Sequence, residues 1–392
     1  MSMWISKDYK PGDALDINTW TQLSETGDFP SSNSPQIINK NVPSGFDTLG
    51  VYIGVRYYHN LWALGYQLNS VKIFGNLKVE READIDHKLI VHGDAEAESL
   101  SAGMTVKIGG KCKAESVNAG MSVILSGEVD VESVSAGMKA EVKGDGKVGK
   151  ISAGMRANVY GTIEGGKVSA GMKAVIIGGT FEKASAGMNL IVKKDIKIER
   201  ASAGMSLKIK DNATIESASA GMSIKASKNL TFDKLSAGMS AKIAGDATGE
   251  TAKVGMSMIC KGNIECRNQL SVGMKIKAGK NINAGTISTG RKLIGKFIKA
   301  KKVDIGKRGR IRGTLEADRV TLKPRVRAGT ICANEIEMQE KSKAKNVFAD
   351  IIFMEYGANV SGKLQYTESF EAEEGVKAKK KAEKVKALPS PK

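Results

Sequence analysis

The sequence predicts an all-β fold, a long, three-sided parallel β-helix, and three observations carry that prediction. Ser-Ala-Gly-Met or a close variant recurs from Ser101 onward; apolar and polar residues alternate between the copies; and no proline occurs between Ser44 and Lys323. A short fixed period with period-two alternation marks strands, and a chain whose backbone N–H groups nearly all donate to a ladder cannot hold proline.

The methionines set the period. Met104, Met121, Met138, Met155, Met172, Met188, Met205, Met222, Met239, Met256 and Met274 are separated by 17, 17, 17, 17, 16, 17, 17, 17, 17 and 18 residues. One more step of 17 reaches Arg291, in the degenerate copy Ser288-Thr289-Gly290-Arg291. A second marker keeps the same register at Gly75, Gly93, Gly110, Gly127, Gly144, Gly161 and Gly178, and again at Gly245, Gly262, Gly279, Gly313 and Gly329. Seventeen residues are too few for a helical-pair repeat but suit one coil of a solenoid. Each strand then pairs with its counterpart one coil away, and like side chains stack about 4.8 Å apart.

In the coil that starts at Leu100, alternation sends Leu100, Ala102, Met104, Val106, Ile108, Cys112 and Ala114 inward, and Ser101, Thr105, Lys107, Lys111, Lys113 and Glu115 outward. Gly103 and Gly110 mark two corners, and a third falls near Glu115-Ser116. The eleven methionines are therefore expected to form a ladder inside a dry core, where an unbranched thioether fills irregular space. A Cu(I) ladder is the weaker reading of the same row. On the core reading, Met172→Lys would be severely destabilising, because it buries an unpaired ammonium.

Three segments follow from composition. Residues 1–70 contain all three tryptophans (Trp4, Trp20, Trp62), five of eight tyrosines and four of seven prolines, and are read as an aromatic-rich N-terminal region or cap. Residues 71–370 form the β-helix, roughly 17 coils and about 80 Å of rod. Residues 371–392, rich in Lys, Glu and Ala, are read as a charged, flexible tail.

Composition also narrows the function classes. The chain has 60 Lys+Arg against 42 Asp+Glu, a net charge of +18, three histidines, four cysteines and 5% aromatic residues. Cys112, Cys260, Cys266 and Cys332 lack metal-knuckle spacing and are expected to be free, buried thiols. His59, His87 and His92 are the only histidines, and no P-loop, Gly-x-Ser-x-Gly or His-Glu-x-x-His sequence occurs. Neither catalytic nor cofactor-binding residues are assigned, no metal is expected, and the chain is read as a non-enzyme. Without an apolar run of membrane-spanning length or a signal-peptide core, it is placed in the cytoplasm, with membrane association left open.

A basic band is the one local charge feature. Arg291, Lys292, Lys296, Lys299, Lys301, Lys302, Lys307, Arg308, Arg310, Arg312, Arg319, Lys323, Arg325 and Arg327 face only Asp304, Glu316 and Asp318, an excess of eleven positive charges. It is read as an assembly or anion-binding patch, against the plainer reading of a solvated face.

Gly93-Asp-Ala-Glu-Ala-Glu98, Gly110-Gly-Lys-Cys-Lys-Ala-Glu115 and Gly127-Glu-Val-Asp-Val-Glu132 resemble a phrase that recurs in the bactofilins, a bacterial polymer-forming cytoskeletal family. The resemblance covers about residues 71–366. It implies a right-handed β-helix, nucleotide-free polymerisation through the ends, membrane attachment by a short N-terminal segment, and scaffolding of other proteins. Met3, Trp4, Ile5 and Lys7 resemble that membrane-touching segment. The chain departs from the family in its longer solenoid, its Ser-Ala-Gly-Met signature and its aromatic N-terminal region. The expected function is a self-assembling scaffold or filament subunit. The alternatives are a basic module for anionic membrane or DNA and a phage or secretion-machine component. The expected partners are other copies of the chain, then anionic membrane or scaffolded proteins, with nucleic acid ranked behind.

Overall fold

The computed structural model describes residues 2–6, 21–22, 52–56, 70–79, 81–194 and 196–389. Among them there is no helix. Parallel strands stack as a β-solenoid of about 18 turns. Near the N-terminus, Ser2–Ser6 pairs antiparallel with Thr21–Gln22 and with Tyr52–Arg56 in a separate three-stranded sheet. The rest of residues 1–69, and with it the expected cap, lies outside the described residues.

The chain divides into two compact units, Met1–Glu182 and Lys183–Lys392. In the first, Thr105–Ile108 lies beside Ser122–Leu125, and Cys112–Ala119 beside Val129–Ala136, each pair parallel and 17 residues out of phase. Pairing along the longer strand passes over Glu115, where burial changes phase, so the third expected corner is present. In the second unit, Ser206–Ile209 and Ala213–Ala220 repeat the arrangement against Ser223–Ala226 and Leu230–Ala237.

The inward strand faces are mostly aliphatic. Leu207, Ile224, Ala241, Met258 and Ile276 stack in register as one fully buried column. The two largest buried side chains are phenylalanines, and each is matched by a glycine in the adjacent coil. Phe232 pairs with Gly249, where a Cβ would sit 2.4 Å from the ring; a Cβ on Gly165 would sit 2.8 Å from the ring of Phe181. A narrow core of fixed cross-section admits a large ring only where the next coil gives up its side chain.

Extra residues are absorbed without loss of register. The 18-residue interval before Met274 contains an irregularity between Cys266 and Gln269, and Gln269 then realigns with Thr286. The displaced Arg267 and Asn268 both bond Glu250, at 3.0 and 3.1 Å. Residues 371–389 correct the expectation of a free tail. Lys377–Ala378 pairs with Asn359–Val360, and Glu383–Lys384 pairs with part of Leu364–Ala372. The preceding coil leaves a row of open N–H and C=O groups, and the polar tail can satisfy them despite staying exposed.

The glycines of the repeat are required by the stacking. A Cβ on Gly238 would lie 2.0 Å from the carbonyl oxygen of Gly221 one coil away, and rigid backbone cannot yield there. Gly238→Ala should therefore destabilise by at least about 3 kcal/mol, read as a lowered denaturation midpoint.

Candidate functional site: the methionine corner and the basic coils

The methionine ladder faces outward. Met121, Met138, Met155 and Met172 in the first unit, and Met188, Met205, Met222, Met239, Met256 and Met274 in the second, are 37% to 45% exposed, and Met104 is half-buried. This overturns the expected core ladder, and backbone geometry gives the reason. At the Gly-Met corner two successive N–H groups converge on one carbonyl: Met121 and Ser122 both donate to the Met104 oxygen at 2.9 Å. Two residues are thereby spent on the bend, and alternation resumes after them in the same phase. Ala102 points in, Gly103 and Met104 point out, and Val106 points in again. The other six residues assigned inward in that coil are buried as expected. Thioethers do enter the core, but at Met258, Met338 and Met354, outside the ladder.

The ladder is an apolar ridge bordered by small polar residues. In the second unit the residue after each methionine is Asn189, Ser206, Ser223, Ser240, Ser257 or Lys275, all half-buried. Ser206 donates to Asn189 at 2.5 Å. Near Gly245 and Gly262 a second ladder, not foreseen from the sequence, caps backbone N–H groups. The Oδ1 atoms of Asn212, Asn229, Asp246 and Asn263 accept from the N–H groups of Asn229, Asp246, Asn263 and Asn281 in turn. The signal was present as Asn or Asp recurring every 17 or 18 residues, hidden among ordinary turn residues.

In the first unit one outward position is buried. Glu141 stacks between Ile124 and Asn158 and is ion-paired to Lys139 and Lys143. Burial pushes its carboxyl up, but the two ammonium groups outweigh that and hold it below the ordinary glutamate range. Asn158 is also buried, with its Oδ1 unpartnered.

The four cysteines are free and buried, as expected. Burial pushes Cys112 and Cys266 up to about 12 and Cys260 to about 11, and raises Cys332. Protonated thiols of this kind are poor nucleophiles. Among the described residues no group of three or more His, Cys, Asp or Glu side chains gathers as a metal site. His87 and His92 are exposed, His92 stacking on Phe74 at 5.1 Å, and His59 lies outside the described residues. Met3, Trp4 and Ile5 fall on the strand Ser2–Ser6, and Lys7 lies outside the described residues.

The structure divides the basic band between faces. Lys299 pairs with Glu316 at 2.6 Å, Arg319 with Glu335 at 2.6 Å and Lys323 with Asp304 at 2.8 Å. Lys302 stacks on Arg319 and Thr286, away from the corner. Lys296 and Arg312 are exposed on other positions of their strands. The corner itself continues the methionine row: the N–H groups of Arg291 and Lys292 both donate to the Met274 oxygen. Beyond it, Lys292, Arg310, Arg327 and Lys343 stack in one register. Here Gly-Met gives way to tight turns at Lys307-Arg308, Pro324-Arg325 and Glu340-Lys341, with φ of 59°, 61° and 56° at the second residue of each pair. Gly357 and Gly375 take that place in the next coils.

Comparison with known protein families, with curated proteins and with solved structures finds no match to this chain.

Two outcomes follow from this geometry. Met172→Lys should change stability by no more than about 1 kcal/mol, whereas Ile176→Lys, a charge in the core, should prevent folding or cost more than about 4 kcal/mol; paired denaturation curves check both. Glu141, with its folded-state value depressed, stabilises above the unfolded value of about 4.3 and loses that contribution as pH falls through the folded value. The stability gap between wild type and Glu141→Gln, about 1–2 kcal/mol at neutral pH, should therefore close in acid below that point.

Proposed function

We propose that this chain is a non-enzymatic structural protein that self-associates side to side, with the exposed methionine ladder as its contact surface. The observation that carries the reading is the recurrence of a large apolar side chain, more than a third exposed, at the same corner of coil after coil. A continuous apolar stripe on a soluble chain marks an interaction surface. The occupant is a second copy, because within each unit its stripe has the same rise per coil and can seat the facing methionines together.

The bactofilin-like reading of Gly93–Glu98, Gly110–Glu115 and Gly127–Glu132 belongs to this proposal, but the mode of assembly differs from the end-to-end joining the resemblance implies. The last strands, Lys377–Ala378 and Glu383–Lys384, are two residues long, exposed and set in a lysine-rich segment. Short charged strands blunt a sheet edge against further pairing. Lateral contact through the corner is better supported. A cytoplasmic setting accords with four unpaired cysteines, and no helix among the described residues is long and apolar enough to cross a membrane.

Sedimentation velocity and negative-stain microscopy of the purified protein test the proposal. The expected result is assemblies that grow with concentration and with salt, since screening relieves repulsion between chains of net charge +18. The triple variant Met205→Lys, Met222→Lys, Met239→Lys should melt like wild type yet stay monomeric. A wild-type protein that is monomeric at every salt and concentration, or a triple variant that assembles unchanged, would overturn it.

A further inference from the structure

We propose that the corner of the coils between Lys275 and Lys343 is a docking surface for the phosphodiester backbone of a nucleic acid, bound without regard to sequence. The proposal stands apart from self-association and rests on different residues.

The first support is register. Lys275, Lys292, Arg310, Arg327 and Lys343 occupy one position in five consecutive coils, and all but Lys275 are exposed. Like charges stacked at about 4.8 Å repel one another. On the neighbouring faces the chain offsets such stacking with acids, as between Lys299 and Glu316. At this corner it does not: among the described residues no ion pair engages Lys292, Arg310, Arg327 or Lys343. Nearby, Glu340 pairs with Lys341, and its carboxyl is held below the ordinary range by Lys341 first and more weakly by Arg325.

The second support is the turn. A positive φ favours glycine, and Gly357 and Gly375 fill the place in the last coils. In the three coils before them the same strained position holds Arg308, Arg325 and Lys341. A side chain there costs backbone energy that glycine would avoid, so stability alone does not account for three successive cations.

Residue choice and spacing identify the partner. Seven of the twelve arginines in the chain lie between Arg291 and Arg327. A lysine would solvate a surface equally well, but the guanidinium fork matches phosphate oxygens two at a time. With one cation from the strand and one from the bend in each of the four coils from Arg291 to Lys343, the corner carries about one positive charge per 2.4 Å of rise there. A duplex carries one phosphate per about 3.4 Å on each strand and about 1.7 Å on both, so the densities are commensurate. A lipid bilayer is less well matched, because no large apolar side chain is exposed between Met274 and Ile351 to enter the acyl boundary.

The test is fluorescence anisotropy with a labelled random-sequence DNA duplex, titrated between about 50 and about 200 mM salt. The wild-type protein should bind with a log–log salt slope of about −5, corresponding to five or six phosphates neutralised. Lys292→Glu, Arg310→Glu and Arg327→Glu together should weaken binding at least about tenfold and flatten the slope by about three. Circular dichroism and melting unchanged from wild type would show the fold intact. Reversal of the separate lysine row, Lys208→Glu, Lys225→Glu and Lys242→Glu, should leave the slope within about one unit of wild type. Equal loss in both variants would overturn the proposal, since net charge alone would then explain binding. So would phosphatidylserine vesicles that hold wild type and lose the corner variant while duplex affinity stays the same in both. Salt also keeps this proposal distinct from self-association: screening weakens phosphate binding and strengthens assembly.

Discussion

Parallel, in-register stacking is the constraint from which the remaining features follow. When each coil lies over its predecessor with a shift of 17 residues, most side chains have their own repeat equivalent as a neighbour, and a choice made once is repeated along the ladder. Glycine at the corner is one such choice, imposed by a carbonyl oxygen directly beneath it. The aspartate and asparagine ladder is another: each Oδ1 satisfies a backbone N–H in the next coil, at a corner where the strand ladder has lapsed. Buried width is set in the same way, so that Phe232 fits only because Gly249 follows it.

Most of the fold was legible because periodicity and alternation are properties of the backbone. Val106, Ile108, Cys112 and Ala114 were assigned inward and are buried; the corners at Gly103, Gly110 and Glu115 fall where composition placed them. The methionine row was misassigned for a definite physical reason. Alternation counts residues along an extended strand, and a corner in which Met121 and Ser122 share one acceptor takes two residues out of that count. The apolar character of methionine then suited a core assignment, although Met258, two places beyond Met256, is the side chain that turns in. The tail was misread for a complementary reason. Its composition is that of a solvated segment, and only the open edge of the preceding coil makes strands of it.

The basic band shows how a linear cluster differs from a surface. Read along the chain, residues 291–327 form one block of charge. Folded into coils, they separate into a partly neutralised face, where Lys299 and Arg319 meet Glu316 and Glu335, and a corner where cations stack on cations. Only the register distinguishes the two, because it decides which residue lies above which.

The corner therefore carries two chemistries in succession within the second unit. From Met188 to Met274 it is apolar and lined by serine; from Arg291 it is cationic, and the backbone hydrogen bonds to the Met274 oxygen show that one row continues into the other. The chemistry changes first, at Arg291 on a bend that still shares the Met274 carbonyl, and the tight turn with positive φ follows one coil later at Arg308. Those two geometries present side chains differently. Along the Gly-Met bend more than half of each methionine is covered. The tight turn carries an exposed cation at its positive-φ position. An apolar contact gains from the first arrangement because burial scales with continuous area, and an electrostatic contact gains from the second because reach matters more than packing. The repeat thus uses one backbone position for two kinds of surface, and the side chain placed there, before any change of turn, makes the switch.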